Sequence, residues 1–397
     1  MEWITRPLGE ITSYMAKGIP PKYAEEETEN TVRVLNQKCN RNFTISYADS
    51  RIHDCTQKKV PGDKLLKKGD VLINSTGTGT AGRVAQMMEI PIPTTIDGHM
   101  ILLRPSKEMD EFYYGYAVKA HQAQIETLAE GSTGQTEINR NRLQTEVMIT
   151  YPENKKVQAG IASFLWDIDR KIEANNKINE NLQQQAATVF HQWFVANPES
   201  EKWPSVTLDS LTSLVSRGIA PKYTDDSTQI VLNQKCIRDH YIDISLARRH
   251  NPKVINEKWL QYGDLLINST GEGTLGRAAQ VWFVPENMTV DSHVTIVRPK
   301  DPHLLFYIGL WGISHEREIE ALHTGSTGQT ELPRERVKAM ELRLPDNDTL
   351  ARFNAVIAPI VSLIITNQQE NVRLASVRDS LLPKLMSGEI DVSDIQL

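Results

Sequence analysis

The chain has 397 residues, a formal net charge of −6 and 24% charged residues. This length suits two or more domains, and the slightly acidic balance argues against a protein that holds DNA alone through bulk charge. Because we find no run of 18 apolar residues and no signal-peptide layout, we expect a cytoplasmic protein without a membrane span.

Residues 1–150 are predicted to form a mixed α/β domain. Short β-rich runs such as Asp70–Asn74 and Met100–Arg104 are bounded by Gly, Pro and Asn residues, which commonly mark turns.

A long helix is predicted over residues 151–196, with Pro152 close to its start. Apolar residues recur there with alternating spacings of four and three, the heptad pattern of a coiled coil. Asn175 and Asn179 occupy two positions of this seam, where a buried polar residue costs stability but fixes register. The seam consists of Ile161, Leu165, Ile168, Ile172, Asn175, Asn179, Leu182, Ala186, Val189 and Trp193.

The second half of the chain repeats the first. GDVLINSTGTGTAGR from Gly69 returns as GDLLINSTGEGTLGR from Gly263, and GSTGQTE at 131–137 returns unchanged at 325–331. Such a duplication of a whole module differs from a solenoid repeat. We therefore predict a second domain over 197–343, a second helix over 344–390 and a tail at 391–397. The second seam is Phe353, Ile357, Ile360, Ile364, Asn367, Asn371, Leu374, Arg378, Leu381 and Leu385.

The two helices are expected to pair in antiparallel fashion and to place the domains at opposite ends of a rod, related by a pseudo-twofold axis. The expected neighbours are Asn175 with Asn371, Asn179 with Asn367, Leu182 with Ile364, and Val189 with Ile357. Pro359 should kink the second helix, and Gly388 should end it. Two unrelated amphipathic helices, each covering its own core, are the alternative.

Two glycine-rich loops, Gly77–Gly82 and Gly271–Gly276, follow predicted strands and match G-x-G-x-x-G. A dinucleotide-binding unit is disfavoured because Pro91, Pro93 and Pro285 interrupt the helix that should follow. Each loop is either a structural turn or a backbone-contacting loop beside a phosphate. The second interpretation assigns DNA contacts to Ser75, Thr76, Gly77, Thr78, Arg83, Ser269, Thr270, Gly271 and Arg277.

Three further repeated motifs are rich in polar residues. GSTGQTE is either a capped turn or a loop in which glutamine pairs two-fold with adenine. VLNQKC is either a solvated strand end or a groove-reading loop, and GIPPKY with GIAPKY offers Lys and Tyr to the DNA backbone. The residues assigned to DNA contact are Lys22, Tyr23, Asn36, Gln37, Lys38, Ser132, Thr133, Gln135, Lys222, Tyr223, Asn233, Gln234, Lys235, Ser326, Thr327 and Gln329. His99 and His293, at equivalent positions, are interpreted as structural.

No sequence pattern of catalysis is present: we find no P-loop, HExxH or GxSxG motif. Cys39, Cys55 and Cys236 form no CxxC pair and are expected to be reduced. His53 with the nearby cysteines would suggest zinc, but the second copy has no equivalents. We therefore expect no active site, metal or cofactor in this chain.

The duplicated module, the paired GSTGQTE motifs and LLPKLMSGEI at Leu381–Ile390 together resemble the specificity subunit of a type I restriction–modification system. The resemblance implies an α+β fold in which two mixed α/β target-recognition domains are separated by two long antiparallel coiled-coil helices. It implies a non-catalytic subunit that reads a bipartite site on double-stranded DNA and assembles with two modification subunits and, optionally, restriction subunits. S-adenosylmethionine, ATP and Mg would then belong to those partners. A stand-alone sequence-specific DNA-binding regulator is the alternative.

Two further expectations concern recognition and assembly. Because VLNQKC and GSTGQTE are identical in the two copies, the half-sites should be similar and inverted, giving a near-palindrome split by an unread spacer. The helix ends should expose apolar surface and make the lone chain poorly behaved. The residues expected to be exposed there are Phe190, Trp193, Phe194, Leu381, Leu382 and Leu385.

Overall fold

The structure, a computed structural model, describes residues 2–77, 79–131, 136–252, 255–325 and 330–390. The chain divides into two compact units, Met1–Ile172 with Val372–Leu397, and Glu173–Asn371. The division falls within both long helices, so each unit holds one copy of the module and a part of each helix. The five-segment division expected from the sequence stays a prediction.

The first unit contains fourteen strands, three short helices and the beginning of a long helix among its described residues. They are β1 Trp3–Pro7, β2 Thr12–Lys17, β3 Tyr23–Ala24, β4 Thr31–Leu35, β5 Asn40–Arg41, β6 Thr44–Ile45, β7 Arg51–Asp54, β8 Val71–Asn74, β9 Val84–Gln86, β10 Thr94–Ile96, β11 Met100–Pro105, α1 Glu111–Ala120, α2 Gln122–Glu126, β12 Ala129–Glu130, β13 Glu137–Ile138, α3 Arg140–Glu146, β14 Met148–Pro152 and α4 Lys155–Phe190.

The second unit repeats this order. Its described elements are β15 Ser205–Thr207, α5 Leu208–Leu211, β16 Thr212–Arg217, β17 Ile230–Leu232, β18 Ile237–Arg238, β19 Tyr241–Ile242, β20 Arg248–Arg249, β21 Leu265–Asn268, β22 Ala278–Gln280, β23 Met288–Val290, β24 Val294–Pro299, α6 Leu305–Ser314, α7 Glu316–Ala321, α8 Arg334–Lys338, β25 Glu341–Arg343 and α9 Asn347–Ser387.

Each module is centred on an antiparallel four-stranded sheet with the order β2-β11-β8-β9 or β16-β24-β21-β22. Successive side chains of a strand point to opposite faces. In β8, Val71 and Ile73 accordingly enter one core and Leu72 enters another. A sheet covered on both faces requires an unbroken apolar run, which explains why VLIN and LLIN show no polar alternation. The strands predicted at these runs are confirmed.

A second sheet in each unit carries the remaining polar motifs. Its order is β10-β4-β7-β3 in the first unit and β20-β17-β23 in the second. It contains one parallel pair in each case, β10 with β4 and β23 with β17. VLNQKC begins in an inner strand of this sheet and then turns toward the first sheet. There the side chains of Asn74 and Asn268 donate hydrogen bonds to the carbonyls of Gln37 and Gln234, each at 3.1 Å.

The long helices pair in antiparallel fashion within the second unit, as predicted. Asn175 Nδ2 donates to Asn371 Oδ1 at 2.9 Å, and Asn367 Nδ2 donates to Asn179 Oδ1 at 2.8 Å. Leu182, Val189, Ile357 and Ile364 share one hydrophobic core. Within the first unit, the start of α4 and the end of α9 likewise share a core, and Gly388 follows α9 with a φ of +75°. α9 is helical on both sides of Pro359.

The expectation that the helix ends are exposed is wrong. Phe190, Phe194, Leu382 and Leu385 are between 2% and 7% exposed. The Phe194 ring lies 4.8 Å from Tyr307 and 4.6 Å from Phe353, measured between centroids. These aromatic partners lie more than 100 residues away in the sequence, so the local pattern could not reveal them.

α9 is long and apolar enough, by length and composition, to cross a membrane. However, its apolar residues Phe353, Ile357, Val361 and Ile364 are fully buried in the core of the second unit. A helix whose apolar stripe faces a protein core is typical of a core helix.

Candidate nucleic-acid interface

The repeated polar motifs meet at one end of the central sheet in each unit. We call this place the polar edge. It comprises, among the described residues, 36–38, 75–77, 79–83, 97–99 and 137 in the first unit, and 233–235, 269–277, 291–293 and 331 in the second. Strands β8 and β21 end there, and the loop that follows each strand returns to β9 or β22.

VLNQKC contacts the glycine-rich loop in both units. In the first, Thr80 Oγ1 donates to Gln37 Oε1 at 3.2 Å. In the second, Thr270 Oγ1 donates to Gln234 Oε1 at 3.3 Å. A Cβ at Gly77 would lie 2.5 Å from Gln37 Oε1, and the φ of +106° there suits glycine. Glycine is therefore favoured here by the backbone conformation of the turn, and it lets the end of the glutamine side chain lie against the loop.

This arrangement constrains how the two glutamines contact a base. Two-fold pairing with adenine needs both the Oε1 and the Nε2 of the side chain. The hydrogen bond from the loop uses one of the two lone pairs of Oε1 in Gln37 and Gln234, so this pairing has to be made with the amide held in its present orientation. The prediction that these residues read bases stays a prediction.

Asn36 and Asn233 are committed to local structure. Asn36 Oδ1 accepts from the Lys38 amide at 2.8 Å and its Nδ2 donates to Asp49 O at 2.7 Å. Asn233 makes the same pair of bonds with the Lys235 amide, at 2.8 Å, and Leu246 O, at 3.2 Å. The caps shape a short turn from which the exposed Lys38 and Lys235 project. The lysines are thus better placed for a phosphate than the asparagines are for a base.

The serines and threonines after the central strand divide into two classes. Ser75 and Ser269 are fully buried, and Ser269 Oγ lies 2.6 Å from Thr295 Oγ1. Thr76 and Thr270 are half-buried. Their hydroxyls lie 3.0 Å and 2.8 Å from Nδ1 of His99 and His293 respectively. Buried serines make no direct contact with a duplex unless the loop opens, so the threonine and histidine pairs form the accessible surface.

His99 and His293, which were interpreted from the sequence as structural, belong to the polar edge. Both side chains are exposed. The backbone amide of each donates at 2.9 Å to Oδ1 of the aspartate two positions earlier, Asp97 or Asp291. Burial raises the pKa of both aspartates, and the histidine amide partly offsets this rise. Because Nδ1 is engaged by threonine, Nε2 is the ring nitrogen left for a ligand. The sequence signal that could have pointed to these histidines is the Asp-x-His pattern, which occurs at equivalent positions in both copies.

The two arginines of the glycine-rich loops are half-buried. Arg83 Nη2 donates to Gly79 O at 2.9 Å, which closes the loop on itself. Arg277 occupies the same place in the second copy.

Lys22, Tyr23, Lys222 and Tyr223 lie outside the polar edge. They belong to the connection between the first sheet and the second sheet, where Tyr23 in β3 pairs with His53 in β7. The Arg51 guanidinium lies 4.7 Å above the centre of the Tyr23 ring, and Arg248 lies 3.6 Å above Tyr223. All four predicted residues are exposed.

Seven predicted contacts lie outside the described residues: Thr78, Ser132, Thr133, Gln135, Ser326, Thr327 and Gln329. The end of GSTGQTE nevertheless joins the polar edge. The amides of Ile138 and Leu332 donate to the carbonyls of Ser75 and Ser269, each at 2.8 Å.

The described part of the chain contains no cluster of His, Cys, Asp or Glu that would hold a metal ion. Its three cysteines are unpaired. Burial raises the pKa of the Cys39 thiol and raises the pKa of Cys236 to about 11, so both remain protonated and packed.

Residues 1–184 match the family described as type I restriction modification DNA specificity domain. The chain is 24% identical to the type I restriction enzyme MjaIX specificity subunit of Methanocaldococcus jannaschii, over 99% of this chain and 95% of that protein. The resemblance to type I specificity subunits is confirmed. The HindI specificity subunit of Haemophilus influenzae is 21% identical over 84% of this chain and 89% of its own length.

A solved type I specificity subunit from M. genitalium has the same fold. It superposes with a TM-score of 0.55 at 16% identity, over 97% of this chain and 96% of that one. The α+β fold with mixed modules and long coiled-coil helices is therefore confirmed. The expectation of a non-catalytic specificity subunit is confirmed by the relatives, each of which is named a specificity subunit.

Proposed function

We propose that this chain reads a bipartite site on double-stranded DNA, with one half contacted by each polar edge. The observation that carries the proposal is the repetition of the same side-chain bonds at both edges. Thr76–His99 and Thr270–His293 match in partners, and the bonds from Asn74 and Asn268 match in both partners and length. Two copies of one polar surface suit a ligand that offers two similar sites.

We further propose that the chain works inside an assembly with two modification subunits, in the cytoplasm, and optionally with restriction subunits. The net charge of −6 supports this, because a chain with an excess of negative charge gains little from counterion release alone. S-adenosylmethionine, ATP and Mg would be bound by those partners. A pseudo-twofold relation between the two modules, expected from the repeat, would match the inverted symmetry of a duplex.

The half-sites are proposed to be similar and inverted. In VLNQKC, the carbonyls of Gln37 and Gln234 accept equivalent bonds from Asn74 and Asn268. The two glutamine side chains both accept from a threonine after the central strand, although from different positions, Thr80 and Thr270. The copies diverge in the adjoining hairpins β5–β6 and β18–β19, where Asn40 and Phe43 are replaced by Ile237 and His240. Differences between the half-sites should therefore arise from these hairpins.

The test is methylome sequencing of cells that express the chain with a modification subunit. The expected result is a split, near-palindromic motif. Gln37→Ala should relax one half and Gln234→Ala the other, since a well-placed bidentate contact contributes roughly 1–3 kcal/mol of discrimination. Two unrelated halves would refute the symmetry while leaving the subunit role. Tight, specific DNA binding by the lone chain, without methylation in the presence of the modification subunit, would favour the stand-alone regulator.

A further inference from the structure

A basic cavity lies beside the polar edge of the second unit. Its volume is about 300 Å³, and its lining contains three cations and one carboxylate. The lining residues are Ser216, Arg217, Lys258, Glu331, Pro333 and Arg334. Such a local excess of positive charge stands out in a chain whose net charge is −6.

Two of the cations are held in place and keep donors to spare. Arg217 pairs with Glu331, and its Nη2 donates to Leu332 O at 2.9 Å. Lys258 Nζ donates to Gly218 O at 3.2 Å. An arginine carries five N–H donors and a lysine three, so both retain donors for a ligand. Arg334 is exposed at the start of α8.

The Gly218 carbonyl is itself fixed. A Cβ at Gly218 would lie 1.9 Å from Val290 O, so only glycine lets the chain pass this close to β23. The acceptor of Lys258 is therefore fixed by backbone packing.

The same arrangement recurs in the first unit. Lys17 pairs with Glu137, and Lys64 Nζ donates to Gly18 O at 3.0 Å. Arg140 begins α3 as Arg334 begins α8. Gly18 is as crowded as Gly218, since a Cβ there would lie 2.1 Å from Asp97 O. Two cations thus keep equivalent partners in the first copy, where Lys17 occupies the position of Arg217 and Lys64 that of Lys258.

Both cation groups adjoin the proposed reading surface. Glu331 forms a β-bridge with Thr270, and Glu137 forms one with Thr76. A ligand in the cavity would thus be next to the Thr–His pair of the same unit.

We propose that each of these two cation groups binds a phosphate of the DNA backbone and thereby sets the position of its polar edge on the half-site. The inference rests on the proposed function. Arginine and lysine donors around a small cavity suit a phosphate group. Phosphate contacts fix register and orientation on a duplex but carry no sequence information. Glu331 and Glu137 hold Arg217 and Lys17 without cancelling the charge of the group.

The test measures DNA binding by the chain in complex with its modification subunit, as a function of salt concentration. Arg334→Gln removes one exposed cation of the second group, and Arg140→Gln its equivalent in the first. Each phosphate contact contributes about 0.9 to the slope of log K against log salt. Each variant should therefore lower the slope by about that amount and the double variant by about twice as much, with an unchanged methylation motif.

Arg336→Gln is the matched control, because Arg336 lies on the same helix and is exposed but does not line the cavity. It should leave the slope unchanged, and Arg334→Lys should restore it. A slope that Arg334→Gln does not lower, or lowers no more than the control, would overturn the proposal.

Competition with inorganic phosphate distinguishes two possible ligands of the cavity, a phosphate of the DNA backbone and a free anion. At matched ionic strength, phosphate should weaken DNA binding by the wild-type complex more than chloride does. This excess should fall in Arg334→Gln and vanish in the double variant with Arg140→Gln. If phosphate binds at Arg334 while the DNA slope is unaffected, the cavity takes a free anion and the proposal is wrong. A wild-type complex without specific DNA binding would instead refute the proposed function itself.

Discussion

Replacing Arg378 with alanine should destabilise the first unit by about 3–5 kcal/mol, the usual cost of leaving one charge of a buried pair alone. Arg378 Nη1 lies 2.5 Å from Asp169 Oδ1, and the Tyr116 hydroxyl donates to Asp169 Oδ2 at 2.6 Å. Both charged side chains are only 17% exposed. Burial alone would lower the pKa of Arg378, but hydrogen bonds to Asp379 and Asp169 outweigh it and raise that pKa. The guanidinium therefore stays charged.

In the second unit, the positions equivalent to this buried cluster hold apolar residues. The residues equivalent to Tyr116, Asp169 and Arg378 are Leu310, Val361 and Ala186, which lie in one hydrophobic core. Replacing a buried ion pair with apolar residues is often neutral or stabilising. The triple variant Tyr116→Leu, Asp169→Val, Arg378→Ala should thus recover most of the stability lost in Arg378→Ala.

Urea unfolding provides the measurement. Trp166 in α4 reports on the first unit, because its ring stacks on Phe112 with a centroid separation of 6.3 Å. Lys384→Ala is the control, since Lys384 lies on the same helix α9 within the first unit and pairs with Glu389, and these side chains are 51% and 64% exposed. Such an exposed pair contributes less than about 1 kcal/mol. The reasoning fails if Arg378→Ala costs no more than the control, or if the triple variant is as unstable as Arg378→Ala.

Asn40→Asp should cost the first unit about 1–3 kcal/mol and cost more than Asn40→Ile. The buried Asn40 Nδ2 donates to Asn74 Oδ1 and Arg83 O at 3.1 Å and 2.9 Å, whereas Ile237 fills the equivalent place in the second copy; urea midpoints in the opposite order would contradict this. Asn179→Leu should destabilise the helix pair by about 1–3 kcal/mol because it leaves Asn367 without its acceptor, and adding Asn367→Leu should recover this loss. An unchanged midpoint for the single variant would count against the pairing. The hydrogen bond that the His240 ring donates to the Glu316 carboxylate outweighs burial and raises the pKa of His240. This pair stabilises the folded state fully below the unfolded-state pKa of about 6.5, and the contribution is lost as pH rises through the folded-state pKa. The stability difference between wild type and His240→Phe should therefore shrink as pH is raised from about 6 to 8; a constant difference would refute the assignment.

The helix pairing was predictable because periodicity fixes which face of a helix is apolar, and two polar residues at equivalent seam positions then fix the register. Asn175–Asn371 and Asn179–Asn367 accordingly bond as expected. The strands at Val71–Asn74 and Leu265–Asn268 were predictable for a similar reason. A short apolar run between turn signals is typical of a strand that is buried on both faces.

It was less predictable which polar side chains are free to contact a ligand, because their hydrogen-bond partners are remote in the sequence. Asn36 and Ser269 look equally available as DNA contacts. Yet Asn36 binds Asp49 O and Ser269 binds Thr295. A pattern shows that a residue is polar and repeated, whereas only the fold shows whether its donors are already engaged. His99 is the reverse case, since an exposed ring with one nitrogen engaged by Thr76 emerges only from the folded loop.

A chain made of two copies must also pair its own α4 with its own α9 rather than with the α4 of another chain. The asparagines do not discriminate, since two α4 helices would place Asn175 opposite Asn179 and satisfy both amides. Asp169 does discriminate, because two α4 helices would place it opposite Ala186 and bury an unpaired carboxylate. We therefore expect Asp169→Arg and Arg378→Asp chains, each with a like-charge pair of its own, to exchange helices when coexpressed.

The mixed complex should be recovered through a tag on either chain. Exchange brings the introduced arginine of one chain opposite the introduced aspartate of the other, and it brings the two unchanged residues, Asp169 and Arg378, together as in the wild type. Wild-type chains coexpressed with the same two tags are the control and should not exchange. A single chain that carries both substitutions restores the pair within itself and should behave as the wild type. If the two single variants are instead recovered separately, each folded, then the buried ion pair does not select the partner helix.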